Sequence, residues 1–450
     1  MSGIAGVDQP GKQRTVKRML EKISHRGLAG RKIKSVKGAT IGMVCAEAQI
    51  NSLDRVEKKN EVVDVSGSGR LALAKVREDG MFFKRDPIGV APLYYGKNWD
   101  GVIHFASEVK ALLDFCSEIK PVPPGHMSNG GKWEAYYELE KKKPLKESPG
   151  ILAKGLKARI KKSIVGKIEQ TQEIGSWLSG GLDSSSLAAL ARPLMKRLYT
   201  FAVGFDGSPD LEYARAVADY LGTEHREVVV QFKDLFSVLP EVIYHLESFD
   251  ALLVRSSIVN YIVAQKASEY VDAVLSGEGG DELFAGYHYL KNLEQDDLAD
   301  ELIDITQRLH NTALQRVDRS ASAHGTVAYV CFLDSEVIDY ALRIPVEYKL
   351  HGNVEKWILR VALDGELPEK VLKRKKAKFW KGAGVEESMA GYAEQSISDS
   401  DFNAEQHLAN GWTLNSKEEL LYYRIFEENY GDLEDYSWMG RTKRIPARKA

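Results

Sequence analysis

Two segments constrain this chain more than any others. A short apolar run, EIGSWL (173–178), passes directly into SGGLDSS (179–185) and then into SLAALARPLMKRL, which has helical character. A second run, DAVL (272–275), passes into SGEGGDE (276–282). Strand, glycine-rich turn, helix is the opening of a βαβ unit. In an open parallel sheet, ligands bind outside the carboxyl ends of the strands. A chain with two acidic, glycine-rich turns at such ends is expected to fold as a parallel α/β sheet with its site at those crests.

The turn chemistry narrows the ligand. Gly180 and Gly181 let the backbone come close to a ligand and take positive φ. The hydroxyls of Ser179, Ser184 and Ser185 and the following helix N-terminus present donors to an anion. Asp183 beside a phosphate would repel it unless a cation lies between, and Mg²⁺, content with one or two carboxylates plus phosphates, suits that place. The second turn offers Glu278, Asp281 and Glu282, so Asp183 and Asp281 could reach one ion from two strands. A single Gly-Gly-Asp can equally be a solvated turn; two, each closing a core strand, weaken that reading. No GK[ST] follows the glycines, which excludes a Walker A loop. GGDEL (279–283) is a coincidental match to a cyclase motif, because the sheet context differs.

The flanking sequence is organised differently on the two sides. Residues 1–147 are β-rich, with runs Ile41–Ala46, Leu71–Val76 and Val102–Ala106 broken by Gly, Asn, Asp and Pro. A polar stretch around Gly130, Gly131 and KKKPLKESPG (141–150) marks the boundary. Beyond it, Ile151, Leu152, Leu156, Ile160, Ile164 and Ile168 fall at near-helical spacing. Further strands are read at 198–205 and 227–230, a helix at Glu212–Leu221, helical segments from Leu235 to Lys266, and mostly helix after 290. The 450 residues carry a net charge of −2, so no global field draws the chain to nucleic acid or an anionic membrane. Three scattered cysteines (Cys45, Cys116, Cys331) give neither a disulfide framework nor metal-ligand spacing. With no signal peptide and no apolar span of about 20 residues, the expectation is a soluble protein of a reducing, cytoplasmic compartment.

These residues resemble a known family. SGGLDSS looks like the pyrophosphate loop of the ATP pyrophosphatases, and within that group the chain resembles the glutamine-dependent asparagine synthetases. The resemblance runs through 200–225, EVIYHLESFDALLVRSS (241–257), VLSGEGGDELFAGY (274–287), 332–350, EKWILR (355–360), KRKKAKFWKGAG (373–384) and SKEELLYYRIFEENY (416–430). SGIAGV, SHRG (24–27), RDPIGVAPLYYG (85–96), FASEVKALL (105–113) and PPGH (123–126) resemble the family's amidotransferase domain. The resemblance implies an α+β, Ntn-type amidotransferase-like domain over 1–147. It implies an α/β ATP pyrophosphatase domain over 148–450, with a parallel sheet and a helical C-terminal part.

It also implies a reaction. The acceptor carboxylate, aspartate's β-carboxylate in the family, attacks the α-phosphorus of MgATP, pyrophosphate leaves, and an amine then attacks the acyl-AMP. By carry-over, Ser179, Gly180, Gly181 and Ser184 hold pyrophosphate, Asp183 and Asp281 hold Mg²⁺, and Leu178, Val203, Ser276 and Gly277 face the adenosine. Lys376 matches the active-site lysine; on pattern alone, KRKKAK is only a basic surface run. Glu278 matches a glutamate able to take a proton from the attacking ammonia. Arg255 is either a fork for the acceptor's α-carboxylate or a structural ion pair. His225 and His245 receive no role. The basic tail 441–450 is read as a solvated or substrate-covering end.

The departures from the family are as telling. Ser2 stands where the family has its nucleophilic cysteine, RGPD is RGLA (26–29), and the glutamine-holding NGEIYN segment has no counterpart between about 50 and 70. A hydroxyl without an adjacent base is a poor nucleophile, so the glutaminase is expected to be degenerate and ammonia to be the nitrogen source. The family's EARVPFLD is VAYVCFLD (327–334), placing Val327 and Tyr329 where a Glu–Arg pair stands. That change keeps open a second reading, an amide- or lactam-forming synthetase acting on another carboxylate. A tRNA-modifying enzyme is disfavoured by the cysteines and charge, and a non-catalytic nucleotide binder by the intact loops. The partners expected are ATP, aspartate or a similar carboxylate, and ammonia. A homodimer and a separate ammonia source remain open.

Overall fold

The structure is a computed structural model describing residues 2–66, 70–78, 80–129, 132–169, 173–376 and 385–443. Two antiparallel sheets form the N-terminal part. One holds β1 (Ser2–Val7), β2 (Gly30–Val36), β3 (Ala39–Cys45), β7 (Tyr94–Lys97), β8 (Ile103–Ala106) and β9 (Glu118–Pro121) in the order β2-β3-β1-β8-β7-β9. The other holds β4 (Glu61–Ser66), β5 (Arg70–Arg77), β6 (Gly80–Arg85), β10 (His126–Asn129) and β11 (Lys132–Ala135) in the order β11-β10-β6-β5-β4. Ile4, Ile41 and Met43 of the first sheet pack against Val62, Ala74 and Phe83 of the second in one buried core. The RDPIGVAP segment is a turn built around its own charges. Asp86 accepts from the N–H groups of Ile88, Val90 and Ala91 at 3.0–3.1 Å, and buried Arg85 donates to the carbonyls of Gly89, Ala91 and Val122.

The rest is a parallel α/β unit. β12 (Ile174–Trp177), β13 (Tyr199–Gly204), β14 (Glu224–Val229), β15 (Ala273–Leu275) and β16 (Val327–Tyr329) lie in the order β14-β13-β12-β15-β16. The chain runs from β12 to one side and then returns to the other, so the strand order reverses between β12 and β15. That is where an open α/β sheet binds its ligand. The pairing Ser176↔Leu275 brings the ends of these two strands, and hence both glycine-rich turns, side by side. All of β12 and β15 is buried, which is why they read as apolar runs without alternation.

Helices cover the sheet. Ser208 precedes a helix at Pro209–Leu221, with proline in the first turn, where its missing N–H costs nothing. The helical segments expected over 235–266 are two helices, Phe232–Leu246 and Ala251–Ser268, and Asp250 caps the second through Leu253 N–H. β16 lies within the region read as helical. Its three residues are too short to show a period, and it exists because β15 offers it a free edge. Among the described residues, no helix is long and apolar enough to cross a membrane.

Candidate active site

The two turns are locked together by close packing. Gly180 has φ +65°, and a Cβ on it would stand 2.3 Å from Tyr213 Cβ. Its glycine is therefore required by the helix behind it rather than by a ligand in front. A Cβ on Gly280 would meet Asp183 Cγ at 2.5 Å, so the second turn can lie against the first only as glycine. The serines of the first turn close it internally: Ser179 N–H donates to Ser184 Oγ at 3.2 Å, and Gly181 N–H to Ser179 Oγ at 3.4 Å. Ser185 is instead fully buried behind the crest.

Above the turns lies a cavity of 340 Å³. Leu178, Ser179, Asp183, Ser184, Val203, Ser276, Gly277, Glu278, Asp281 and Lys376 all line it. Trp177, Phe201 and Leu253 add apolar lining, and Arg308, Arg316 and Arg441 add cations. Gly181 borders an adjoining 60 Å³ recess with Lys356, Arg360, Arg374, Lys375 and Lys376. Such a recess is dense in cations, as a site for a polyanion must be.

Asp183 and Asp281 meet at one point. Lys356 Nζ contacts Asp183 Oδ2 and lies 2.6 Å from Asp281 Oδ1, and Lys376 Nζ donates to Asp281 Oδ2 at 2.5 Å. Burial pushes the Asp183 carboxyl up, against the pull of Lys356. Burial acts the same way on Asp281, but Lys356 and Lys376 together outweigh it and hold that carboxyl below its ordinary range. Burial would lower Lys376; the two aspartates more than compensate and raise it. Asp183 Oδ1 is buried without a hydrogen-bond partner. Among the described residues no cluster of three or more His, Cys, Asp or Glu forms a metal cage. Two hard carboxylates with an unsatisfied oxygen at the mouth of a cationic recess fit Mg²⁺ carried in with phosphates, which requires no such cage.

Sequence reasoning missed several of these groups. Lys356, in EKWILR, adopts φ +56°, an uncommon conformation for lysine, and so aims its ammonium between the two turns. Arg374 ties the KRKK segment to the first turn by donating to Ser179 C=O at 3.0 Å and by pairing with Asp210. Glu355 accepts the Lys376 N–H at 3.1 Å, which sets where that lysine points. Arg316 pairs with Glu278. Glu282, already read in the second turn, accepts from the Tyr287 hydroxyl, and burial, with Asp281 and Glu278 nearby, pushes its carboxyl up to about 7. The unusual backbone at Lys356 leaves no mark in its sequence.

Three features that the sequence left open take these positions. Of the two readings of Arg255, the ion pair is the one seen: Arg255 does not border the cavity, and its Nε donates to Glu418 Oε1 at 2.6 Å. Val327 and Tyr329 are buried in edge strand β16 and also lie outside the cavity. Of the tail, Arg441, Thr442 and Lys443 line the cavity, Thr442 being held by Asp250 at 2.8 Å; residues 444–450 and 377–384 lie outside those described.

Comparison with known proteins places the sequence in a family. The asparagine synthase family profile matches residues 155–301 and 291–445, and that of a glutamine amidotransferase domain matches 46–114. Asparagine synthetase [glutamine-hydrolyzing] 2 of Arabidopsis thaliana is 35% identical over 397 residues, covering 83% of this chain and 69% of that protein. The corresponding enzyme of Zea mays is 34% identical over 396 residues, covering 82% and 68%. Asparagine synthetase B [glutamine-hydrolyzing] of Escherichia coli (strain K12) is 34% identical over 388 residues, covering 81% and 70%. The chain therefore belongs to the asparagine synthase family, whose members are AMP-forming carbon–nitrogen ligases.

Proposed function

We propose that the chain makes asparagine from aspartate, ammonia and ATP through an aspartyl adenylate, and that it does not hydrolyse glutamine. The reading is carried by one observation: carboxylates from two adjacent strand ends, Asp183 and Asp281, share a point with the ammonium groups of Lys356 and Lys376 at the floor of the cavity. Leu178 and Val203 offer an apolar seat to the adenosine, with Ser276 and Gly277 at its edge. The recess of Gly181, Lys356, Arg374 and Lys376 takes the departing pyrophosphate. Asp183 and Asp281 would hold Mg²⁺, which when bound offsets phosphate charge. Lys376 supplies a further positive charge where the P–O bond breaks. Catalysis here is mainly positioning and charge neutralisation.

In the second step Glu278, held by Arg316 at the cavity wall, accepts a proton from the ammonia that attacks the acyl carbon. Arg316 is engaged by Glu278, which leaves Arg308 and Arg441 as the cavity cations available to the acceptor's α-carboxylate. Aspartate is favoured over another acceptor because Val327 and Tyr329, the departures that raised the alternative, do not line the cavity.

The glutaminase part rests on the N-terminal residues. Ser2 is fully buried and hydrogen-bonded to Gln49. Arg26 of SHRG is enclosed by Asp64, Glu108 and Asp318, RGPD is RGLA, and the family's glutamine-holding NGEIYN segment has no counterpart between about 50 and 70. Incubation with ATP, Mg²⁺, aspartate and ammonium should yield asparagine, AMP and pyrophosphate. ADP as product, or no consumption of aspartate, would overturn the synthetase reading; glutamate release from glutamine would overturn the other part.

A further inference from the structure

We propose that the β-rich N-terminal part acts as a brace for the amide-forming step: a buried charge network centred on Arg26 positions the helix Ala313–Ser322, and with it Arg316 and Glu278. The role given to Glu278 rests on the function proposed above.

Arg26 is wholly buried, and its donors are used up. Nε gives to Ser2 C=O at 2.8 Å, Nη1 to Glu108 at 2.8 Å and to Asp318 Oδ2 at 2.8 Å, and Nη2 to Asp64 at 3.0 Å and to Asp318 Oδ1 at 3.0 Å. A guanidinium has five N–H groups in a fixed fork, so the partners fix its orientation completely. Asp318 belongs to the Ala313–Ser322 helix of the α/β part, 292 residues along the chain from Arg26. The next residue, Arg319, is gripped in the same way: it donates to Asp318 at 2.7 Å, to Glu247 at 3.0 Å and to Ser107 C=O at 3.4 Å. Glu247 in turn accepts the Lys110 N–H at 2.7 Å. Strands and turns of the N-terminal part thus hold one helix of the other part at two consecutive residues.

Arg316 stands three residues before Arg319, about one helical turn away, and pairs with Glu278 in the cavity. A helix is stiff over one turn, so a shift or rotation at Asp318 moves Arg316 with it. A network of buried ions is weak evidence for stability, because desolvation can cost as much as the pairing returns. What it does supply is a fixed geometry. Glu247 is also held at φ 59°, a conformation that persists in a glutamate only when its surroundings impose it. Asp64, Glu108, Asp318 and Arg26 are positioning residues here; none of them lines the cavity.

Two half-reactions separate the brace from general damage. Aspartate-dependent exchange of labelled pyrophosphate into ATP reads adenylation; asparagine formed at varied ammonium reads the step that uses Glu278. Arg26→Met and Asp318→Asn should lower the ammonium kcat/KM about 10- to 100-fold, the penalty of a displaced catalytic group, while exchange stays near wild type. In an Arg316→Met background, Asp318→Asn should add no further loss. Equal loss in both half-reactions, no loss in either, or additivity with Arg316→Met would overturn the brace. Amide hydrogen exchange across 313–322 tests it independently of substrate: both variants should exchange faster there, and unchanged exchange defeats the proposal. Wild-type protein that fails to exchange pyrophosphate defeats the asparagine reading instead. Should Arg26→Met not fold, the near-isosteric Asp318→Asn and the charge-keeping Arg26→Lys carry the comparison.

Discussion

Lys356 Nζ lies 2.6 Å from Asp281 Oδ1 and also touches Asp183, so carboxylates from two different strand ends share one ammonium. The lysine side chain is 3% exposed. Removing its charge leaves two largely buried carboxylates facing each other. Lys356→Met should therefore lower unfolding free energy by about 3 kcal/mol, as when one partner of a buried pair is lost. Denaturant midpoints read this directly, and an unchanged midpoint would refute it.

The same pair of carboxylates is proposed to hold Mg²⁺. Asp183→Asn or Asp281→Asn should raise the Mg²⁺ concentration needed for half-maximal pyrophosphate exchange and slow exchange about 100-fold or more, in line with losing a preorganised electrostatic contact. Full activity in either variant at low Mg²⁺ would remove that residue from the metal assignment.

Restoring a thiol should not restore a glutaminase. Ser2→Cys replaces one atom, but RGLA (26–29) and the missing counterpart of the glutamine-holding NGEIYN segment remain. Glutamate release from glutamine should stay at the background rate in this variant, and release keeping pace with asparagine synthesis would contradict the expectation.

Arg255 and Glu418 form an ion pair whose side chains are 12% and 2% exposed. Arg255→Ala should cost about 3 kcal/mol of stability by stranding the Glu418 carboxylate, with little change in the KM for aspartate. A large rise in that KM with stability intact would return Arg255 to the acceptor site.

Acid should destabilise the fold through three buried histidines. Burial lowers His245 to about 2, His310 to about 3 and His324 to about 4. These folded values lie below the ordinary histidine value, so the neutral ring favours the folded state. The contribution is complete above pH 6.5 and is lost as pH falls from there toward the folded values, because the unfolded chain then binds the protons. Each ring contributes a slope of at most about 1.4 kcal/mol per pH unit. Urea midpoints at pH 7.5 and 5.0 should differ clearly, and His245→Gln, if it folds, should flatten the difference.

Much of this site was legible because its signals are local. A buried strand and a glycine-rich turn follow one another at SGGLDSS and again at SGEGGDE, with an apolar helix after the first, and each is dictated by residues close in sequence. Residues of both turns line a common hollow with Lys376, which no local signal marks and only the family resemblance singled out. The short edge strand Val327–Tyr329 escaped it, since three residues carry no periodicity and pairing depends on a neighbour 54 residues away, as in Ala273↔Val327.

By itself, then, the sequence determined the parallel sheet, the two crests and the acids and serines upon them, because chain stiffness, burial and turn geometry act over a few residues. Only the tertiary structure decided which cations serve those acids. Lys356 reaches Asp183 across 173 residues, Arg316 reaches Glu278 across 38, and Arg255 turns away to Glu418 across 163. A charged side chain takes whichever opposite charge the packing of helices brings within reach, and that distance is set by the whole fold rather than by any motif.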